Sequence, residues 1–257
     1  MADLHGVLSM GETAEDVATR HGIPRDQQDT FALRSHQRAA AHRAGAFDAE
    51  LLPVERADGV TVTADECIRE NTSLQRLASL KPVFRADGTV TAGNASPMND
   101  GAAALLLVSE QALADLDLEP LGRYVAGATA GVHPDVMGLG PIPATRKALT
   151  QAGGAIDDLD TAEINEAFAA QALACLQDLR IDPDQVNPDG GAIALGHPLG
   201  CPGSADRFRS RQIFVRAFSH ASPDSSPAVG SPHLLRPGTN TSWRRRESRS
   251  RSTVAMV

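Results

Sequence analysis

His197 has the clearest capacity for chemistry in this sequence, because it stands between Gly196 and Pro198 in a glycine-rich run at residues 190–200. Glycine and proline let the backbone turn sharply, and they can hold an imidazole at one orientation beside an open surface. Histidine exchanges a proton near neutral pH and is therefore a common general base. The same pattern also occurs in plain structural turns, so His197 alone does not define a site.

Asn165 is a second candidate, and Glu166-Ala167-Phe168 follows it directly. Residues 162–164 predict the end of a short strand, and the spacing of apolar residues after Glu166 predicts a helix. At such a junction a side-chain amide, together with the free N–H groups of the helix start, can stabilise a developing oxyanion. An asparagine in this place is also a common helix cap, and the residue type does not distinguish the two roles.

The three cysteines, Cys67, Cys175 and Cys201, lack Cys-x-x-Cys spacing and adjacent histidine pairs, which predicts neither a metal site nor a disulfide framework. Cys67 lies beside Glu66, whose charge raises a thiol pKa, and Cys175 falls on the predicted buried face of a helix. Only Cys201, four positions after His197, is worth testing as a nucleophile, although this spacing does not by itself bring the two side chains together.

The elements that must position these residues begin with two helices before residue 50. The first is predicted to begin at Thr13, with Asp16 at capping-box spacing, and to end at Gly22. The second follows Pro24, which a helix start tolerates, and its apolar face continues to Gly45. Together they form an amphipathic pair.

Strands and helices alternate through the rest of the chain, which favours an α/β fold. Turn signals at Asp58-Gly59 and Asp87-Gly88 divide the first part of this region into short apolar runs. The predicted elements are loops and edge strands over 51–90 with a helical interval at 74–80, a buried strand at 102–108, a strand at 123–132 and a helix at 143–152.

Composition and charge divide the chain after Cys201. The 257 residues are 42% hydrophobic, which is enough for a core, and their net charge is −8. Residues 202–257 hold ten arginines, no lysine and three acidic residues, so they carry 10 − 3 = +7 and the preceding part −8 − 7 = −15. Such an acidic body argues against nucleic-acid binding by residues 1–201.

No apolar run approaches the roughly 18 to 20 residues of a membrane span, and we predict a cytoplasmic protein.

The tail at residues 202–257 is rich in arginine, serine and proline and has too few apolar residues for a core, which predicts disorder. Its Arg244-Arg245-Arg246 run is typical of RNA-binding segments. A shifted reading frame in a GC-rich coding sequence gives the same composition, and we favour this second interpretation.

Five ordered motifs resemble those of the thiolase family. They span about residues 8–201, and the Asn-Glu-Ala-Phe motif at Asn165 and the Gly-His-Pro motif at His197 are the most specific. The motifs lie at residues 10–15, 93–103, 136–141, 165–170 and 190–200.

The resemblance implies roles for two groups of residues. In that family the histidine that matches His197 activates a nucleophilic cysteine and, with a water held by the asparagine that matches Asn165, forms an oxyanion hole for the thioester carbonyl. Coenzyme A and acyl-CoA are then substrates, and neither a cofactor nor a metal is expected. The implied coenzyme A groove, whose apolar character suits the pantetheine arm, is lined by Met10, Ala92, Ala95, Ser96, Met98, Met137, Ala167 and Phe168. For Met98 and Met137, packing in the core is an equally good explanation.

The resemblance also implies an incomplete thiolase-like α/β fold. We therefore expect exposed sheet edges, apolar surface and poor solubility. Intact relatives are dimers or tetramers whose main contact draws on a portion without a counterpart here, so we do not expect the same assembly. The implied divisions are a loop domain at 1–98, the end of the N-terminal half at 99–122, part of the C-terminal half at 123–201 and a disordered, out-of-frame tail at 202–257.

Two hypotheses about function remain. The first is a thiolase-type acyl-CoA acyltransferase that cleaves 3-oxoacyl-CoA or condenses two acyl-CoA molecules. The family's two catalytic cysteines come from a unit that would precede Met1 and from a Cys-x-Gly loop near the chain end, so we expect this chain to be inactive alone. The second is a non-catalytic coenzyme-A-binding or interaction protein whose basic tail recruits an acidic partner such as RNA, and only the tail supports it.

Overall fold

The computed structural model describes residues 8–42, 51–104, 106–118, 120–199, 233–235 and 252–256. The helices are α1 (Met10–His21), α2 (Arg25–His42), α3 (Leu74–Ala78), α4 (Glu110–Asp115), α5 (Pro141–Ala152), α6 (Ala169–Leu179) and α7 (Ala192–Leu195). The strands are β1 (Val54–Glu55), β2 (Thr61–Val62), β3 (Leu107–Val108), β4 (Pro120–Arg123), β5 (Leu159–Ile164), β6 (His233–Leu235) and β7 (Ser252–Met256). Short 3₁₀ segments cover Pro134–Leu139, Ile156–Asp158 and Pro183–Gln185. Within these ranges no helix is both long and apolar enough to cross a membrane.

Helix α1 begins earlier than the sequence predicts. Ser9 is its N-cap, and the Ser9 hydroxyl accepts a hydrogen bond from the Glu12 N–H at 3.3 Å. The predicted start at Thr13 is therefore wrong, because a better cap precedes it. Gly22 ends the helix as predicted, at a φ of 61° that glycine adopts without strain. Helix α2 also forms where predicted, and its predicted end at Gly45 lies outside the described residues.

The main core lies where α2, α5, α6 and β5 meet. Phe31 of α2, Ile142 of α5 and Leu176 of α6 are all buried in one apolar cluster. Leu176 is only 2% exposed, and burial of a leucine side chain of this kind stabilises the fold by about 2 kcal/mol. Strand β5 contributes Ile164 to the same cluster, which holds the end of the strand, just before Asn165, in a fixed position.

Two strand predictions are wrong in extent. Among the described residues of the predicted buried strand at 102–108, only Leu107–Val108 form a strand, and Leu107 is 49% exposed. Of residues 123–132, only Arg123 belongs to a strand, at the end of β4. An apolar run is buried only when layers cover both of its faces. The described chain supplies only β6 beside β3 and β4, in the order β3-β6-β4.

The structure differs from the predicted disorder at two places in the tail. Strand β6 pairs antiparallel with β3 and β4, and β7 pairs parallel with β5. The sequences His-Leu-Leu and Ser-Thr-Val-Ala-Met favour strands, and the edges of β3, β4 and β5 offer backbone groups to pair with. The remainder of the predicted tail lies outside the described residues.

Candidate functional site

The fold brings Asn165 and His197 together. Asn165 follows the last residue of β5, and His197 follows the turn that ends α7. The Asn165 Nδ2 atom lies 3.3 Å from the His197 Nε2 atom. Because an amide nitrogen only donates, Nε2 accepts in this contact, and the proton of the neutral ring is on Nδ1. We call these two side chains the amide–imidazole pair.

The pair has unused hydrogen-bonding capacity. Asn165 Oδ1 and His197 Nδ1 are buried and have no hydrogen-bond partner among the described residues. Buried polar atoms are costly when they are left unpaired, and a water or a bound polar group normally satisfies them. Asn165 is also no helix cap, because α6 begins at Ala169 with Phe168 as its N-cap. His197 Nδ1–H can therefore donate to a carbonyl oxygen, and Asn165 Oδ1 can accept from a water or another donor.

The turn at His197 is held by residues 97–99, which lie beside it in the fold. The His197 N–H donates to Pro97 O at 3.1 Å, and His197 forms an isolated parallel bridge with Met98. Gly196 has a φ of 100°, and a Cβ there would overlap the Asn99 amide, so both conformation and space require glycine. Burial lowers the pKa of His197 below its ordinary value, which keeps the imidazole neutral at pH 7, as a general base must be.

The same segment reaches the Asn165 side of the pair. Ser96 donates from its backbone N–H and from its hydroxyl to Ala167 O, at 3.0 and 3.1 Å. Ala95 forms an isolated antiparallel bridge with Phe168. The structure therefore places the predicted residues Ala95, Ser96, Met98, Ala167 and Phe168 beside the pair. Their role in binding coenzyme A stays a prediction.

Three predicted methionines are exposed. Met10 is 51%, Met98 81% and Met137 44% exposed, so core packing does not account for Met98. Helix α1, which begins at Met10, packs against the segment Pro134–Leu139 that carries Met137. Ala92 is exposed as well. Exposed thioethers suit an apolar ligand because they are flexible and polarisable. No hydrogen bond within the described ranges joins Met10, Ala92 or Met137 to the amide–imidazole pair, so their part in the site also stays a prediction.

Phe84 lies beside Phe168 and Gly11, and no motif in the sequence points to it. Its ring meets the Phe168 ring edge to face, with 6.3 Å between centroids and 79° between planes. The Phe84 ring also fills the space that a Cβ at Gly11 would occupy, beside Met10. A single aromatic residue in a predicted loop carries no motif. The available signal was the glycine after Met10, which indicates close approach of another side chain.

Neither described cysteine is suited to attack a carbonyl. Burial raises the pKa of the Cys175 thiol to about 12, and its Sγ donates to Gly138 O at 3.3 Å. Burial and the charge of Asp65 raise the pKa of Cys67, as its acidic surroundings predict. Neither thiol makes a hydrogen bond to the described amide–imidazole pair, and Cys201 lies outside the described residues. The described ranges hold no cluster of three histidine, cysteine, aspartate or glutamate residues suited to a metal.

Family comparisons agree with the motifs. The model of the thiolase N-terminal domain matches residues 1–111, and the model of the thiolase C-terminal domain matches residues 118–214. The second match continues past Cys201, where we expect the family pattern to stop. An acetyl-CoA acetyltransferase of Chromobacterium violaceum is 50% identical over 208 residues, which cover 79% of this chain and 53% of that protein. A 3-oxoadipyl-CoA/3-oxo-5,6-dehydrosuberyl-CoA thiolase of Escherichia coli is 54% identical over 211 residues, with the same two shares.

Solved structures give the same result. The Bacillus anthracis acetyl-CoA acetyltransferase superposes with a TM-score of 0.78 at 44% identity and covers 80% of this chain. Human mitochondrial 3-ketoacyl-CoA thiolase in complex with CoA superposes with a TM-score of 0.76, also at 44% identity. The matches cover 53% and 52% of those two chains. The chain thus spans about half the length of the proteins that it resembles.

Proposed function

The chain belongs to the thiolase family and has a thiolase-like α/β fold, and from that premise we propose that it binds an acyl-CoA thioester at the amide–imidazole pair. The chemistry that we propose is thiolase-type acyl transfer, either cleavage of a 3-oxoacyl-CoA by coenzyme A or the reverse condensation. One observation carries the proposal: Asn165 Nδ2 and His197 Nε2 approach to 3.3 Å while Asn165 Oδ1 and His197 Nδ1 have no partner among the described residues.

His197 acts as the base in this proposal. Its Nε2 takes the proton from a protein thiol, which neither Cys67 nor Cys175 is suited to supply, and the thiolate attacks the 3-oxo carbon of the substrate. Cys201 is the thiol that the experiment below tests in this role. Donors at the Asn165 amide stabilise the charge that develops on a substrate oxygen. The bond between the second and third acyl carbons then breaks, and the proton held by His197 returns to the enolate carbon of the departing acetyl-CoA. Transfer of the acyl group to the sulfur of a second coenzyme A restores the protein thiol.

The surface beside the pair suits the pantetheine arm. Met98, Phe84 and Phe168 present apolar side chains that are at least partly accessible. The backbone carbonyl of Ala167 already accepts a hydrogen bond from the Ser96 hydroxyl. The surface formed by these residues therefore offers the ligand mainly apolar contact. The human relative that contains CoA supports coenzyme A as the ligand class. The enzyme names of the relatives favour acyl transfer over the alternative of an interaction protein. A cytoplasmic location and the absence of the relatives' assembly stay predictions.

Thiolysis tests the proposal. The loss of acetoacetyl-CoA is followed in the presence of free coenzyme A, with the full chain, His197→Ala, Cys201→Ser and the control His133→Ala, whose side chain is 58% exposed. Turnover that disappears in His197→Ala and persists in His133→Ala supports the proposed base. Turnover that persists in His197→Ala contradicts it. Binding of acetoacetyl-CoA without turnover in any variant limits this chain to the binding half of the reaction.

A further inference from the structure

A buried carboxylate stands next to the amide–imidazole pair, and the chemistry above does not use it. Glu166 is 1% exposed. Its Oε2 accepts from the Ser35 hydroxyl at 2.6 Å and from the Ile193 N–H at 3.1 Å, and its Oε1 accepts from Asn187 Nδ2 at 2.8 Å. Removing a carboxylate from water is costly unless strong hydrogen bonds replace the lost hydration. These three donors supply that replacement.

The three donors come from three different parts of the fold. Ser35 lies on α2, Ile193 lies in the first turn of α7, and Asn187 follows the segment Pro183–Gln185. Asn187 is itself bound to the end of β5, because its side chain accepts from the Ile164 N–H at 2.8 Å and donates to Ile164 O at 2.9 Å. Glu166 therefore joins the end of β5 to the start of the short helix that leads to His197.

The fit around this carboxylate leaves no room for adjustment. A Cβ at Gly191 would overlap the Glu166 carboxylate, and the Gly191 N–H donates to the Ser35 hydroxyl oxygen at 3.0 Å. Gly190 has a φ of 84°, and a Cβ there would lie 2.7 Å from Ser35 O. The backbone that enters α7 is thus pressed against both Ser35 and Glu166. A contact of this kind admits a single arrangement of the loop.

We propose that Glu166 is a positioning residue for the amide–imidazole pair, acting through its hydrogen bonds to Ser35 and to the backbone of Ile193. Asn165 directly precedes Glu166 in the sequence. His197 follows helix α7, and the Glu166 carboxylate is hydrogen-bonded to the Ile193 N–H in the first turn of that helix. The network thereby sets the distance between the amide and the ring and keeps the ring in its buried environment. Its importance for catalysis rests on the proposed function, whereas its effect on the geometry of the pair does not.

A purely structural role gives a different expectation, and a matched control separates the two. Glu15 is also a buried carboxylate, at 3% exposure, and accepts from the N–H groups of Thr89 and Val90 and from the Thr89 hydroxyl. It lies on α1 and makes no hydrogen bond to α7 or to the β5 end among the described residues. Glu166→Gln and Glu15→Gln each replace one acceptor oxygen by a donor in a fully bonded site, so both lower the melting temperature.

The test is an NMR titration of the His197 imidazole in the full chain, with its signals identified by their loss in His197→Ala. In Glu166→Gln we expect the titration midpoint to move by about half a pH unit or more toward the ordinary histidine value, because the loosened turn hydrates the ring. Ser35→Ala removes one bond to the same oxygen and is expected to move the midpoint in the same direction by a smaller amount. Glu15→Gln is expected to leave it unchanged.

An unchanged His197 titration midpoint would contradict the positioning role of Glu166. If Glu166→Gln and Ser35→Ala leave the His197 midpoint at its wild-type value while lowering the melting temperature as Glu15→Gln does, Glu166 is only a structural residue. Ser35→Ala keeps the test available if Glu166→Gln does not fold. The titration needs no substrate, so its failure is distinct from a failure of acyl-CoA binding or thiolysis.

Discussion

The Asn165 amide and the His197 imidazole meet at 3.3 Å although 32 positions separate them in the chain. Three local structures make this contact possible: the buried end of β5, the short helix α7 with its glycine turn, and the segment at Pro97 that accepts from the His197 N–H. The pair is therefore a product of packing among distant segments. Changes in that packing are expected to act on the pair without touching it.

Gly191 is expected to tolerate no side chain. In Gly191→Ala the new methyl group overlaps the Glu166 carboxylate, so the free energy of unfolding should fall by about 2 kcal/mol through overpacking. Gly131→Ala is the matched control, because a Cβ there meets nothing within 4 Å. Urea denaturation of the two variants checks this. Equal stability of both would contradict the tight fit around Glu166.

Acid is expected to weaken the fold through His36. Burial, assisted by the charge of Arg69, lowers the pKa of His36 to about 4, and its Nδ1 accepts from the Arg69 N–H at 3.2 Å. Because the folded pKa lies below the unfolded value of about 6.5, the unfolded chain takes up the proton first. The stabilisation is therefore present above about pH 6.5 and is lost as the pH falls toward 4.

The measurement for His36 compares wild type and His36→Gln by urea denaturation at several pH values. Wild type is expected to lose roughly 2 kcal/mol more than the variant between pH 7 and pH 4, with solvent screening taken into account. A stability difference between the two proteins that does not change with pH would show that His36 does not titrate as proposed.

The two described cysteines are expected to differ in reactivity. Cys175 is fully buried with a pKa raised to about 12, whereas Cys67 is only half-buried. In native protein a thiol reagent should modify Cys67 at least tenfold faster than Cys175, because thiolate population and access both favour it. Peptide mapping of the modified protein after timed labelling resolves the two sites. Equal rates below the unfolding transition would place Cys175 outside the core.

Met98 is expected to contact the acyl-CoA. A glutamate in its place puts a charge on an exposed apolar surface, opposite an apolar and anionic ligand, so Met98→Glu should lower the affinity for acetoacetyl-CoA about tenfold. Leu52→Glu is the control, since Leu52 is 84% exposed and lies in the β1 region. Fluorescence competition with a labelled coenzyme A measures both. An equal loss in the two variants would indicate general electrostatic repulsion instead.

Local signals in the sequence predict more of the site than of the fold around it. The glycine at the end of α1 and the helices α2, α5 and α6 follow from spacing and capping preferences, and they lie near their predicted positions. Asn165 and His197 stand out because each has a polar side chain at a break between elements. The prediction of a buried strand at 102–108 is wrong in extent and in burial, because burial depends on neighbours from elsewhere in the chain. Phe84 was missed for the same reason, since its contacts with Phe168 and Gly11, both distant in the sequence, show its place.

The most direct test of acyl-CoA binding at the amide–imidazole pair is calorimetric titration of acetoacetyl-CoA into the full chain and three variants. His197→Ala and Asn165→Ala each remove one polar partner of the thioester region, so the account predicts affinities about tenfold weaker than wild type. His133→Ala, at an exposed position, is predicted to bind like wild type. Equal affinity in all four folded proteins, or no binding by any of them, would contradict the assignment of the site.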